Sequence, residues 1–305
     1  MIKILLIGSK GQFGIAFREL LTNRIKTLPI QIFAPERKEL DICNEQACNS
    51  FISNLNPDWV VNAAAFTDVD KAEEFPDLAN LINGIAPIYL ANALSKNGGK
   101  LIQLSTDFVF DGKKSTPYNT FDKRNPINIY GKTKAKGEKA VEEILHPKGQ
   151  GTIVRTSWLM SPVRKNFLLT ILKLIKDQKK IKVVSDQIGC PTSTFTLSEV
   201  VLKIITDNTF NSNKLEPYFH CCDEGQTNWY EIAVKISLLA KQMGLFETNS
   251  EIIPIKSSEY ITIAKRPIYS LLNNIIIKEK LNYKTHKWEF KIKEILNHLL
   301  NKKNS

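Results

Sequence analysis

The chain opens on an almost unbroken apolar run, Met1 to Ile7, which ends in GSKGQFG and so sets glycines at positions 8, 11 and 14. This stretch restricts the fold more than any other. A run this apolar suits a strand buried on both faces, as in a parallel sheet covered by helices. Glycines Gly8, Gly11 and Gly14 permit a tight turn and a close approach of backbone to a pyrophosphate, and the helix that follows turns its N-terminal amides toward negative charge. A glycine motif alone is weak. Here it sits between a buried strand and a helical pattern carried by Phe13, Phe17, Leu20 and Leu21, the context a dinucleotide site requires.

Strand and helix patterns alternate through the first half. Strands are expected at Pro29–Ala34, Trp59–Ala63, Lys100–Leu104 and Gly151–Thr156, with helices at Asn44–Leu55, Pro76–Ser95 and Tyr130–Leu145 between them. Such alternation predicts an α/β fold, a Rossmann-like, doubly wound parallel sheet. After Trp158 the rhythm changes. Helices at Asn166–Lys176, Ser198–Ile205 and Phe290–Leu300, a short strand at Tyr218–Cys222, and a helix capped by Thr227 or Asn228 and ending near Gly244 predict a smaller C-terminal α/β lobe. The division expected is a nucleotide-binding domain over 1–157, joined by 192–217, and a substrate lobe over 158–191 and 218–305. The closing NKKNS reads as a frayed tail.

Composition narrows the function. The 305 residues carry a formal net charge of +11, but the lysines are scattered among acids and no arginine-rich or aromatic-interleaved stripe occurs. An anionic small molecule is therefore the expected partner, with no nucleic acid. No run approaches the ~20 apolar residues that span a bilayer, and the first apolar run is too short for a secretory leader. Five cysteines, an odd number with only Cys221 and Cys222 adjacent, fit free thiols in a reducing compartment. The reading is a soluble cytoplasmic protein with no membrane segment. His220-Cys221-Cys222 lacks a second cluster and alternates across a strand, so no metal site is assigned.

Two further stretches carry chemistry. In IYGKTKAKGEKA, Tyr130 and Lys134 are spaced i, i+4 and share a helix face. Free tyrosine titrates near pH ~10, and a neighbouring ammonium is expected to draw that value down toward neutrality so the phenol can give a proton to an alkoxide. The lysine can also reach a nicotinamide ribose. Upstream, LSTDFVFDG places Ser105, Thr106 and Asp107 at the carboxyl end of a strand, where doubly wound sheets bind ligands. Glu36 can hold a ribose hydroxyl and Arg37 a 2′-phosphate, so NADH and NADPH both remain open. Asp41 lies where an adenine pocket is expected, or caps the helix after it.

With glycine loop, Ser-Thr hydroxyls and YxxxK in this order, the chain resembles an extended short-chain dehydrogenase/reductase. VVNAAAFTDVDKAEE, STDFVFDG, IYGKTKAKGE, RTSWLM, VVSDQIGCPTS and RPIYSLL narrow the resemblance to the dTDP-4-dehydrorhamnose reductase family, over almost the whole chain. The resemblance implies NADPH- or NADH-dependent reduction of the 4-keto group of a dTDP-4-dehydro-6-deoxy-hexose, giving dTDP-L-rhamnose for surface polysaccharide such as O-antigen. It implies Tyr130 as proton donor, Lys134 as its partner and Thr106 as the group orienting the carbonyl. It places Gly11, Gln12 and Phe13 over the pyrophosphate and Asp41 and Ile42 near adenine. Ala63, Ala64, Ala65 and Thr67 would line the cofactor, and Thr106, Asp107 and Trp158 the sugar nucleotide. Arg266 and the Asp186-Gln187 loop are candidates for the diphosphate or base. Met160 and Lys165 depart from the family pattern close to the expected sugar pocket. Some relatives form homodimers with Mg²⁺ at the interface, and no acidic cluster in the sequence assigns that ion here.

Competing functions differ at identifiable positions. Dehydratases of this fold carry an Asp-Glu pair after the threonine, whereas Phe108 follows Asp107 here. Epimerases hold NAD tightly and catalyse no net redox. A non-catalytic relative, the NADP-binding regulatory subunit of methionine adenosyltransferase, uses the fold for binding alone.

Overall fold

The computed structural model describes residues 1–24, 28–207, 215–245 and 250–303. Among them, six parallel strands form one sheet in the order β10-β5-β4-β3-β1-β2. These are β1 (Ile2–Ile7), β2 (Ile30–Phe33), β3 (Trp59–Asn62), β4 (Lys100–Thr106), β5 (Gly151–Thr156) and β10 (Tyr218–Cys221). Chain order reverses between β1 and β3, so their carboxyl ends open a crevice at the switch point. Alternate residues of β1 explain its composition. Ile4 and Leu6 enter a core with α1 (Gln12–Arg24) and α8 (Thr194–Thr206), while Leu5 and Ile7 enter the opposite core with α2 (Glu45–Leu55) and α5 (Ala86–Asn97).

The smaller lobe packs around a third core. There α7 (Phe167–Asp177) buries Leu168, Ile171, Leu172 and Ile175 on one face. It packs with α9 (Trp229–Gln242), the C-terminal α11 (Trp288–Lys303) and β7 (Lys180–Val184), which pairs with β12 (Glu251–Ile255). Asn228, not Thr227, caps α9, accepting from the amide of Glu231 at 2.9 Å. Asn301 to Lys303 belong to α11, where a frayed tail is expected; residues 304–305 of that tail lie outside the described residues, as do 208–214 of the segment expected to return to the sheet.

Two elements differ from expectation. Strand β10, assigned from sequence to the substrate lobe, is the edge of the main sheet, in register with β5 from Tyr218↔Ile153 to Cys221↔Thr156. Four consecutive buried residues fit that place better than a one-sided strand in a small lobe. The single helix expected over 76–95 is interrupted. α4 (Pro76–Asn80) gives way to a π-turn, Leu81–Ile85, before α5 begins. The cause is Asn83, whose amide group donates to Phe66 O at 3.0 Å and to Thr133 Oγ1 at 3.2 Å, and whose Oδ1 accepts from Phe66 N at 2.8 Å. Widening the helix delivers this side chain to the loop after β3. Because Phe219 is fully buried in the core under α1 and α8, Phe219→Ala is expected to cost about 3–5 kcal/mol by chemical denaturation. A negligible loss would show that β10 does not complete the sheet.

Candidate functional site

A cleft of about 930 Å³ runs from the glycine turn after β1, past the ends of β3 and β4, to the first residues of the smaller lobe. It is lined by Gly8, Gly11, Gln12, Phe13, Gly14, Asp41, Ile42, Ala63, Ala64, Ala65, Thr67, Thr106, Asp107, Tyr130, Lys134 and Trp158. The cleft thus gathers the glycine turn and the residues expected to serve proton transfer, while the sequence candidates Arg266, Asp186 and Gln187 lie outside it.

At the glycine end the packing is tight. Gly8 has φ +83°, and a Cβ there would lie 2.7 Å from the backbone of Ala63. That contact draws β1's turn against the loop after β3 and leaves the first-turn amides of α1, which no helical carbonyl reaches, facing the cleft. The side chains of this loop are otherwise engaged. Phe13 stacks on Phe17 in the core at 5.2 Å, so only its backbone serves the cleft. Gln12 Oε1 accepts from Ser161 Oγ at 3.0 Å, tying the loop to the smaller lobe. Asp41 is not a helix cap: its Oδ1 accepts from Cys43 N at 3.1 Å, and Asn44 caps α2. Lys10 pairs with Glu36 at 2.7 Å, and Arg37 lies 3.8 Å from Asp41. Arg164, whose Nε donates to Lys10 O at 3.0 Å, and Lys165 join Lys10 and Arg37 around the cleft. Sequence reading overlooked Lys10 and Arg164. Such a cationic rim suits ligands that carry diphosphates.

At the other end, α6 (Ile129–Ile144) delivers Tyr130 and Lys134 to the end of β4. Asn128 caps it, accepting from Gly131 N at 2.7 Å, and Glu73 Oε1 accepts from Ile129 N at 2.8 Å. Gly131 is what lets the helix approach: a Cβ there would lie 2.1 Å from Phe108 O. Lys134 Nζ donates to Leu104 O at 2.7 Å, fixing the ammonium at the strand end. Thr106 Oγ1 donates to Asp107 Oδ1 at 2.9 Å, accepts from Phe108 N at 3.2 Å and lies near enough to the Tyr130 hydroxyl to lower its pKa. Asp107 is buried, and its Oδ2 has no partner at hydrogen-bond distance.

Burial governs the charges. It pushes the Asp107 carboxyl up to about 6, against the opposing pull of nearby Ser270 and Thr106. It pushes Lys134 down to about 8, with Glu138 holding it up in part. The expectation for Tyr130 fails. Although its ring keeps some surface open to the cleft, enclosure by protein pushes the phenol up to about 12; Thr106 lowers it, Asp107 raises it further, and Lys134 is not among the groups that shift it. Burial therefore keeps the phenol firmly protonated. That is the state a proton donor needs.

Trp158 forms the wall toward the smaller lobe. Its φ of +47° is unusual for a bulky residue. The indole stacks on Trp229 at 4.0 Å, and a Cβ at Gly189 would meet it at 2.6 Å. Other candidates lie elsewhere. Met160 is in the core of the smaller lobe, whereas Lys165 does line the cleft. Arg266 pairs with Asp70 at 2.7 Å, Asp186 is taken by Ser257, and Gln187 Oε1 accepts from Trp229 Nε1 at 3.1 Å. His220, Cys221 and Cys222 are buried, and among the described residues no group of three His, Cys, Asp or Glu side chains can hold a metal ion. Nor is any described helix long and apolar enough to cross a membrane.

Comparison with known proteins agrees along the whole chain. The family model for the RmlD substrate binding domain matches residues 2–301. The spore coat polysaccharide biosynthesis protein SpsK of Bacillus subtilis is 34% identical over 296 residues, 97% of each chain. A crystal structure of a dTDP-4-dehydrorhamnose reductase from Clostridium acetobutylicum superposes with TM-score 0.89 at 38% identity, covering 98% of this chain and 100% of that one. The Bacillus anthracis dTDP-4-dehydrorhamnose reductase, solved in complex with NADP, gives TM-score 0.86 at 31% identity with the same coverage.

Since a side chain at 131 must displace the Phe108 carbonyl, Gly131→Ala is expected to lower stability by about 1–3 kcal/mol in a denaturant melt. Wild-type stability in that variant would mean that α6 does not need this close approach.

Proposed function

The chain belongs to the dTDP-4-dehydrorhamnose reductase family and is an NAD(P)H-dependent oxidoreductase of sugar-nucleotide ketones; from that premise we propose that it reduces the 4-keto group of dTDP-4-dehydro-L-rhamnose to dTDP-L-rhamnose. One observation carries the reading: Thr106, Tyr130 and Lys134 meet on one wall of a cleft whose other end is the glycine turn. The residues fit a dinucleotide. The turn at Gly8 would present the α1 amides to a pyrophosphate, Lys10 and Arg37 would stand near its phosphates, and Ala63 to Ala65 would line the space between turn and phenol.

When bound, the nicotinamide supplies the hydride for the carbonyl carbon. The chain's own groups do the rest. Thr106 and Tyr130, neighbours in the lining of the cleft, bracket the carbonyl oxygen and align it. As negative charge grows on that oxygen, the Tyr130 hydroxyl gives it a proton. The conjugate acid of an alkoxide is roughly as weak as water, so even a phenol raised to about 12 donates downhill. Lys134, held against Leu104 O at the end of β4, would hold a nicotinamide ribose hydroxyl with its ammonium. Asp107, which lines the cleft beside Thr106, would accept from a sugar hydroxyl. Trp158 covers a ring face.

The assay follows NAD(P)H absorbance with dTDP-4-dehydro-L-rhamnose. Tyr130→Phe is expected to lose roughly 10²–10⁴ in rate, and full rate in that variant would refute the mechanism. Wild type that binds NADPH but never oxidises it would mark a dinucleotide-binding regulatory subunit instead. The pH profile of kcat/KM, which reports the free enzyme, has a definite shape. Asp107 becomes protonated below about 6 and stops accepting, and Lys134 loses its charge above about 8, so activity peaks between them. A rate that stays flat well past pH 8 would show that the Lys134 charge is not used.

A further inference from the structure

Beneath Lys134 lies a network of buried charge that proton transfer as described does not use. One turn along α6, the Glu138 carboxylate is 1% exposed, and both of its oxygens are engaged. Oε1 accepts from Ser105 Oγ at 2.5 Å and from Arg155 Nε at 2.9 Å. Oε2 accepts from a terminal Arg155 nitrogen at 2.7 Å and from Arg124 at 3.1 Å. Ser105 and Arg155 are register partners across β4 and β5. Arg155 in turn donates to Thr120 O at 2.8 Å and meets His220 Nε2 on β10 at 3.3 Å.

Stability does not account for this arrangement. A buried ion pair gives little over well-packed apolar side chains of the same volume, and α6 already has a large apolar interface with the sheet through Val141 and its neighbours. Its position does account for it. The carboxylate joins α6 to β4 through the residue that precedes Thr106, and it sits one helical turn from Lys134.

We infer that Glu138 is a positioning residue for the reduction: clamped by Ser105 and Arg155, it holds the turn of α6 that carries Lys134 in register with the strand end that carries Thr106, and so sets how ammonium and threonine meet the phenol. The inference rests on the role proposed above for Tyr130 and Lys134. The charges around it are consistent. Arg155 from β5 and Arg124 from the loop before α6 face Glu138 and keep it ionised, and Glu142 on α6 takes the other arm of Arg124. His146 after α6 and His220 on β10 are held neutral by burial. Lys134 meets the Glu138 charge from its own helix, with Tyr130 beside it and Asp107 facing Tyr130 from the turn after β4.

The test uses the full-length enzyme with NAD(P)H and the sugar nucleotide, comparing wild type, Glu138→Gln, Ser105→Ala and Tyr130→Phe. Circular dichroism and thermal melts report folding. Glu138→Gln is expected to keep its fold and its KM but to lose roughly 10–100-fold in kcat, the order that a misplacement of about 1 Å costs. Without the carboxylate, the alkaline limb of its kcat/KM profile moves down by about one pH unit. Ser105→Ala, which loosens the carboxylate without removing its charge, lowers kcat in the same direction by less. A folded Glu138→Gln with wild-type kcat and alkaline limb overturns the inference. Should Glu138→Gln fail to fold, a folded Ser105→Ala with wild-type kcat does the same. Full activity in Tyr130→Phe overturns the underlying mechanism as well; inactive Tyr130→Phe beside a wild-type-like Glu138→Gln overturns the inference alone.

Discussion

The hydrogen bond from Lys134 Nζ to the carbonyl of Leu104 joins the two halves of the site. A lysine ammonium inside protein must find acceptors or lose its proton, and the end of β4 offers the Leu104 carbonyl, which also accepts from Gln103 Nε2 at 3.0 Å. With the Glu138 clamp one turn along, that contact fixes the height of α6 against β4. It depends on Gly131, which admits the helix to the backbone of Phe108, and on Asn83, which braces Thr133 from the π-turn. Thr106 and Tyr130 then meet because the strand and the helix that carry them cannot slide.

The same burial that makes the lysine easy to deprotonate makes the tyrosine hard to deprotonate, since removing water penalises whichever form is charged. Between the two shifts lies a state at neutral pH with a protonated phenol and a largely charged ammonium. Reduction of a ketone starts from that state. The reverse reaction would start from a phenolate, which this environment makes costly.

Much of this was legible in the residues. The strands of the first half, the glycine turn and the i, i+4 spacing of Tyr130 and Lys134 follow from local pattern, and the cleft gathers them as a doubly wound sheet requires. What was not legible depends on distant partners. The edge position of β10 follows from its register with β5 across a stretch that reads like any buried strand. The break in the helix at 81–85 follows from Asn83 seeking Phe66 and Thr133, 17 and 50 positions away. The acidity of Tyr130 departs from expectation because spacing shows that a lysine is near but not how far the fold withdraws water from the phenol. Arg266, a candidate for ligand binding from sequence, turns out to pair with Asp70, 196 positions distant.

The substrate end shows where family pattern and local physics separate. Met160 departs from relatives yet lies in an apolar core, where a flexible thioether can fill the space of another side chain without touching the cleft. Lys165 departs as well and does line the cleft, next to Arg164 and opposite the loop of Lys10. A lysine there adds a cation to a rim that already carries Lys10, Arg37 and Arg164. Of the two departures, only the lysine reaches the cleft, where it adds to the positive rim and leaves the other lining residues Thr106, Asp107 and Trp158 as they are.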